Sequence, residues 1–131
     1  WLTVVKGLPA VHERMKRVLI MNRKAVDVIR GQDGEQTLFY CDPPYLHETR
    51  TTTTDYAHEM SVEQHAELCI VLRKCKGRVL LSGYPSDLYR AQLENEGWHR
   101  IDFNIANHAA GGKEKRRMTE CLWSNFPSPS E

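Results

Sequence analysis

Four consecutive residues, Asp42-Pro43-Pro44-Tyr45, set a carboxylate, two rigid rings and an aromatic face side by side. Each proline locks its backbone and removes an N–H donor, which leaves the local carbonyls free to accept hydrogen bonds from a ligand. Two acceptors beside a stacking ring are what is needed to hold a planar heterocyclic base by its amino group. Asp42 and the Pro43 carbonyl would each take one amine hydrogen, and Tyr45 would cover the ring.

Such a group must be placed by a rigid element. The run Thr37-Leu38-Phe39-Tyr40-Cys41 ahead of it is apolar without interruption, the pattern of a strand buried on both faces. Asp42 then falls at the carboxyl end of that strand, where open parallel sheets bind ligands.

The rest of the chain reads as alternating strands and helices. Leu8-Pro9 opens a helical pattern through Val11, Met15 and Val18, with the proline in a first turn. The short apolar stretch 18–21 reads as a strand. Asn22 then caps a helix with Ala25, Val26 and Ile29 on one side, closed by Gly31. A polar loop covers 46–60, and Ser61-Val62-Glu63-Gln64 is a capping box opening a helix to about Lys74, whose inward stripe is Val62, Ala66, Cys69 and Leu72. Residues 78–82 form a second buried strand, followed by the turn Gly83-Tyr84-Pro85 and an amphipathic helix over 86–96 that stops at Gly97. The segments 98–105 and 120–125 alternate as an antiparallel pair. The sum is an α/β sheet, mostly parallel, with an antiparallel C-terminal hairpin. One domain over residues 1–126 and a disordered tail over 127–131 are expected.

Composition excludes more than it identifies. The 131 residues are 40% hydrophobic, enough for one ordinary core. No apolar run approaches the roughly 18 residues that span a bilayer, and no signal peptide is evident, so a cytoplasmic protein without membrane contact is expected. The net charge of +1 does not by itself announce a nucleic-acid binder, so any such surface must be local. The four cysteines lack paired spacing and read as reduced core residues. His58 and His65, near Asp55 and Glu63, match no common zinc spacing; they read as surface residues, and no metal site is expected.

From residue 18 to residue 125 the sequence resembles the D12 class of DNA adenine methyltransferases. The resemblance is carried by the Asn22 to Ile29 helix, by Thr37 to Leu46 with its Asp-Pro-Pro-Tyr, by Leu81-Ser82-Gly83-Tyr84 with Leu88-Tyr89, and by Arg116-Arg117-Met118-Thr119-Glu120-Cys121-Leu122-Trp123-Ser124-Asn125. It implies a Rossmann-like methyltransferase sheet, S-adenosylmethionine as methyl donor, and transfer to the N6 amine of a flipped-out adenine in double-stranded DNA. It also implies that Asp42, Pro43, Pro44 and Tyr45 form the catalytic motif, and that Asn22, Ala25, Tyr40 and Asp42 line the donor site. DNA contacts are expected from Arg50, Tyr84, Lys113, Lys115, Arg116 and Arg117. The aspartate favours adenine over a cytosine N4 amine, where serine is more common; action on RNA adenine and an inactive DNA-binding module stay open as alternatives.

Two departures from the family pattern shape the expectations. The glycine-rich donor loop of the family would lie upstream, and the chain begins at Trp1, so the sequence is expected to be a C-terminal portion of a longer enzyme. Arg23-Lys24 stands where many relatives carry an acidic residue near the donor. In the family the strand ending at Asp42 pairs with the strand that precedes the glycine-rich loop. Its edge here is expected to be open, to promote self-association, and to leave the isolated chain binding donor weakly at best.

Overall fold

The computed structural model of the chain describes residues 2–46, 59–106 and 117–128. Four strands make one mixed sheet in the order β1-β2-β4-β3, with β1 Leu38–Cys41, β2 Arg78–Gly83, β3 His99–Ala106 and β4 Arg117–Ser124. β1 and β2 run parallel, while β4 is antiparallel to both β2 and β3. The expected α/β sheet with a C-terminal antiparallel hairpin is therefore present.

One face of the sheet is covered by helices α2 (Ala25–Gln32), α3 (Val62–Leu72) and α4 (Asp87–Gln92). Val79 and Leu81 from β2 and Cys121 and Trp123 from β4 meet Ile29, Leu68, Cys69, Leu72, Tyr89 and Leu93 in a single core. The capping box of α3 forms as expected: Gln64 N donates to Ser61 Oγ while Gln64 Oε1 accepts from Ser61 N. The inward face of α3 differs from the expected stripe, since Val62 is exposed and the buried set is His65, Leu68, Cys69, Val71 and Leu72. His65 recurs at helical spacing with Leu68, Cys69 and Leu72, so burial of that face carries it inward. It is 0% exposed, with Nδ1 2.8 Å from the Tyr89 hydroxyl, and is no surface residue. His58 lies outside the described residues.

Other boundaries moved for identifiable reasons. Helix α1 runs from Leu2 to Met15 and contains Pro9 in its interior, because Gly7-Leu8 supplies no side-chain oxygen to cap a start at the proline. Residues 18–21 form no strand; every residue from 7 to 25 is exposed, and among the described residues no strand pairs with this stretch to complete a ladder. Asn22 does not cap α2, whose N-cap is Lys24, and Gly31 lies within the helix. The helix ends at Asp33 instead, where the carboxylate accepts hydrogen bonds from the backbone N–H of Lys76 and of Gly77, tying α2 to the start of β2. The last helix expected over 86–96 is split: Ser86 caps α4, Leu93 leaves the helical region, and a 3-10 turn Glu94–Glu96 leads to Gly97 at φ 85°.

β1 is the largest correction. It was expected to be buried on both faces, yet Leu38 and Tyr40 are exposed and only Phe39 and Cys41 pack toward the core; its place at the end of the described sheet agrees with the open edge expected of it. The register continues this open face across the sheet to Ile101, Phe103 and Ile105 of β3, all exposed, because the described helices cover the other side. An unbroken apolar run shows that a strand can be buried on both faces. It does not show that covering elements are there.

Candidate active site

The carboxyl ends of β1 and β2 and the start of β4 lie together. Cys41 is level with Leu81, so the next residues, Asp42 and Ser82, stand side by side. Gly83 is level with Cys121, which places Glu120 just past the end of β2.

Ser82 is buried, at 3% exposure, and its hydroxyl lies 2.9 Å from Asp42 Oδ1 and 3.3 Å from the Cys41 carbonyl. The carboxylate of Asp42 is thus held at one oxygen while the residue remains exposed. Pro43 and Pro44 are half-buried, and Leu46 anchors the end of the segment in the core. Between them Tyr45 donates from its hydroxyl to Glu120 Oε1 at 2.6 Å. Its ring meets that of Tyr84 edge-on, with centroids 4.6 Å apart and planes at 72°. Burial, and then the Glu120 carboxylate, push the Tyr45 phenol well above its ordinary range, so it stays a proton donor.

Of the residues singled out from sequence, Asp42, Pro43, Pro44, Tyr45 and Tyr84 come together here. Tyr84 packs against Tyr45, half-buried, and forms a wall of the site. Tyr40 lies two residues ahead of Asp42 with its side chain 64% exposed on the open face of β1. Asn22 lies ahead of α2 and Ala25 is its first residue; both are exposed, and among the described residues no contact joins them to the Asp42–Tyr45 network. Arg50, Lys113, Lys115 and Arg116 lie outside the described residues, and Arg117 opens β4 with a side chain that is likewise not described. Ser82 and Glu120 were missed. The signal was a polar residue inside each of two strand-forming segments, Leu81-Ser82-Gly83 and Thr119-Glu120-Cys121.

A loop with a restrained carboxylate, two prolines and a fixed aromatic ring, at the carboxyl end of a parallel strand pair, is suited to gripping a planar amine-bearing ring. The family model for D12 class N6 adenine-specific DNA methyltransferase matches residues 6–106, most of the chain. The chain belongs to this family of DNA adenine-N6 methyltransferases. The match takes in α1 from residue 6 onward, ahead of the resemblance seen in the sequence, and ends with β3, so Glu120 and the rest of β4 lie beyond it. A comparison with individually curated proteins gave no match. Among the described residues, no helix is long and apolar enough to cross a membrane.

Proposed function

We propose that the Asp42–Tyr45 loop receives an adenine flipped out of double-stranded DNA and presents its N6 amine to the methyl group of S-adenosylmethionine. The observation that carries this reading is the pairing of an exposed, Ser82-held carboxylate with a ring fixed by Glu120 at one end of the sheet.

An exocyclic adenine nitrogen is a poor nucleophile because its lone pair is delocalised into the ring. Asp42 and the Pro43 carbonyl, each accepting one amine hydrogen, draw the nitrogen toward tetrahedral geometry and stabilise the positive charge that develops on it. Tyr45 stacks on the base and offsets part of the few kcal/mol spent on unstacking it. Proton loss follows transfer, to Asp42 or to water.

The strand order, two parallel strands beside an antiparallel hairpin with helices on one face, supports reading the sheet as part of a Rossmann-like methyltransferase sheet. The donor supplies an electrophilic methyl group on a sulfonium centre. The residues present fit one wall of a site for it: Leu38 and Tyr40 expose apolar surface on the side of β1 that leads to Asp42. Gly83 is no part of a cradle, since a Cβ there would meet Tyr89 at 3.2 Å in the core. The basic segment at 113–117 and Arg50 are assigned to DNA phosphates, which orient a duplex without reading its sequence.

The test is methylation of unmethylated plasmid DNA with labelled S-adenosylmethionine by the chain and its Asp42→Ala variant. Turnover falls by at least about a hundredfold, while donor affinity by calorimetry falls far less, because the lost contacts matter in the transition state. Near-normal turnover in the variant would end the reading.

A further inference from the structure

We propose that Glu120 is a positioning residue for Tyr45, holding the ring by its hydroxyl so that the stacking face is set before a base arrives. This rests on the reading of Tyr45 as the residue that stacks on the flipped base.

The bond itself is the first support. At 2.6 Å it falls in the range of charge-assisted O–H···O⁻ hydrogen bonds, about 2.5–2.7 Å, at the short end of the range for hydroxyl donors. The upward push of burial and Glu120 on the phenol keeps the proton on Tyr45 and the donation in one direction.

The second support is where each end is anchored. Tyr45 lies in a loop after β1, whereas Glu120 is 75 residues further on in β4, in register with Phe103 of β3. The hydrogen bond therefore ties a loop side chain to a paired strand. Two torsions orient a tyrosine ring about its stem, and the backbone of Pro43 and Pro44 restrains only the stem. The hydroxyl fixes the far end, and the edge contact of Tyr84 at 4.6 Å limits rotation of the plane. A ring already in place spares the binding step the cost of immobilising a side chain.

The experiment uses a single-stranded oligonucleotide carrying one 2-aminopurine between thymines, whose emission is quenched when it stacks on an aromatic ring. Binding is followed by anisotropy and stacking by the quench, with circular dichroism confirming the fold of each variant. The wild-type chain binds and quenches, and Tyr45→Ala binds without quenching. Glu120→Ala loses at least half of the quench, while Glu120→Gln, whose amide oxygen still accepts the phenol proton, keeps most of it. Tyr45→Phe cuts the same bond from its other end, and Tyr45→Phe with Glu120→Ala is no worse than either alone, the non-additivity expected of one shared interaction. A full quench in Glu120→Ala, or additive losses in the double variant, overturns the role of Glu120. If Glu120→Ala does not fold, the comparison of Tyr45→Phe with wild type decides the matter, an unaltered quench overturning the proposal. Absence of binding by the wild-type chain, or a quench that survives Tyr45→Ala, overturns the stacking reading itself and this inference with it.

Discussion

Ser82 meets Asp42 across the ends of two parallel strands, its hydroxyl 2.9 Å from one carboxylate oxygen and turned from the core toward the site. One oxygen of Asp42 is therefore engaged, and among the described residues no hydrogen bond to the other is seen. A hydroxyl has a single proton, so the nearby Cys41 carbonyl at 3.3 Å competes only weakly for it.

Replacing Ser82 with alanine frees the Asp42 side chain without leaving a buried charge, because Asp42 is exposed. The hydrogen bond is worth about 1 kcal/mol after allowance for solvent, so kcat/KM falls about fivefold in Ser82→Ala. Steady-state methylation kinetics read the change, and an unaltered value would mean that Asp42 is oriented by something else.

Asp33 makes folding depend on pH. Its carboxylate accepts from the backbone of Lys76 and then of Gly77, and these bonds hold its carboxyl below the usual aspartate value of about 3.9. A depressed folded value contributes stability that is present above the unfolded value and is lost as pH falls through the folded one. Thermal melts of wild type and Asp33→Asn should accordingly differ near pH 6, with the gap narrowing only as pH falls from about 3.9 through the lower folded value. A difference that stays constant with pH contradicts the linkage.

His65 and Tyr89 share a hydrogen bond of 2.8 Å inside the core, between α3 and α4. Tyr89→Phe removes the hydroxyl that meets Nδ1 and keeps the ring that packs against Trp123. Leaving a buried ring nitrogen without that partner destabilises the fold by about 1–3 kcal/mol. Urea unfolding should show a lower midpoint with an unchanged slope.

The open side of the sheet predicts association. Among the described residues β1 has a strand partner on one edge only, with Leu38 and Tyr40 exposed, and Ile101, Phe103 and Ile105 extend apolar surface across β3. Sedimentation at low micromolar concentration should give a mass above that of one chain, and Tyr40→Lys should lower it by placing a charge on the edge. A single-chain mass across the concentration range would show that the edge is protected.

Much of this protein follows from local sequence. The capping box at Ser61, the parallel strand pair and the C-terminal hairpin are written in periodicity and capping chemistry, which depend on near neighbours. The Asp42-Pro43-Pro44-Tyr45 loop could be placed at a strand's carboxyl end because prolines and an apolar run constrain their own backbone wherever they occur. Burial could not be read this way. Leu38 and Tyr40 have the residue types of a doubly buried strand and are exposed, while His65, read as a surface residue, is fully enclosed. The partners of the site side chains were hidden for the same reason: Ser82 reaches Asp42 across 40 residues and Glu120 reaches Tyr45 across 75. Side-chain type and spacing determine which local element forms and what chemistry it can offer. Only the packing of distant segments decides which polar group each side chain meets, because hydrogen bonds act over about 3 Å of space whatever the separation along the chain.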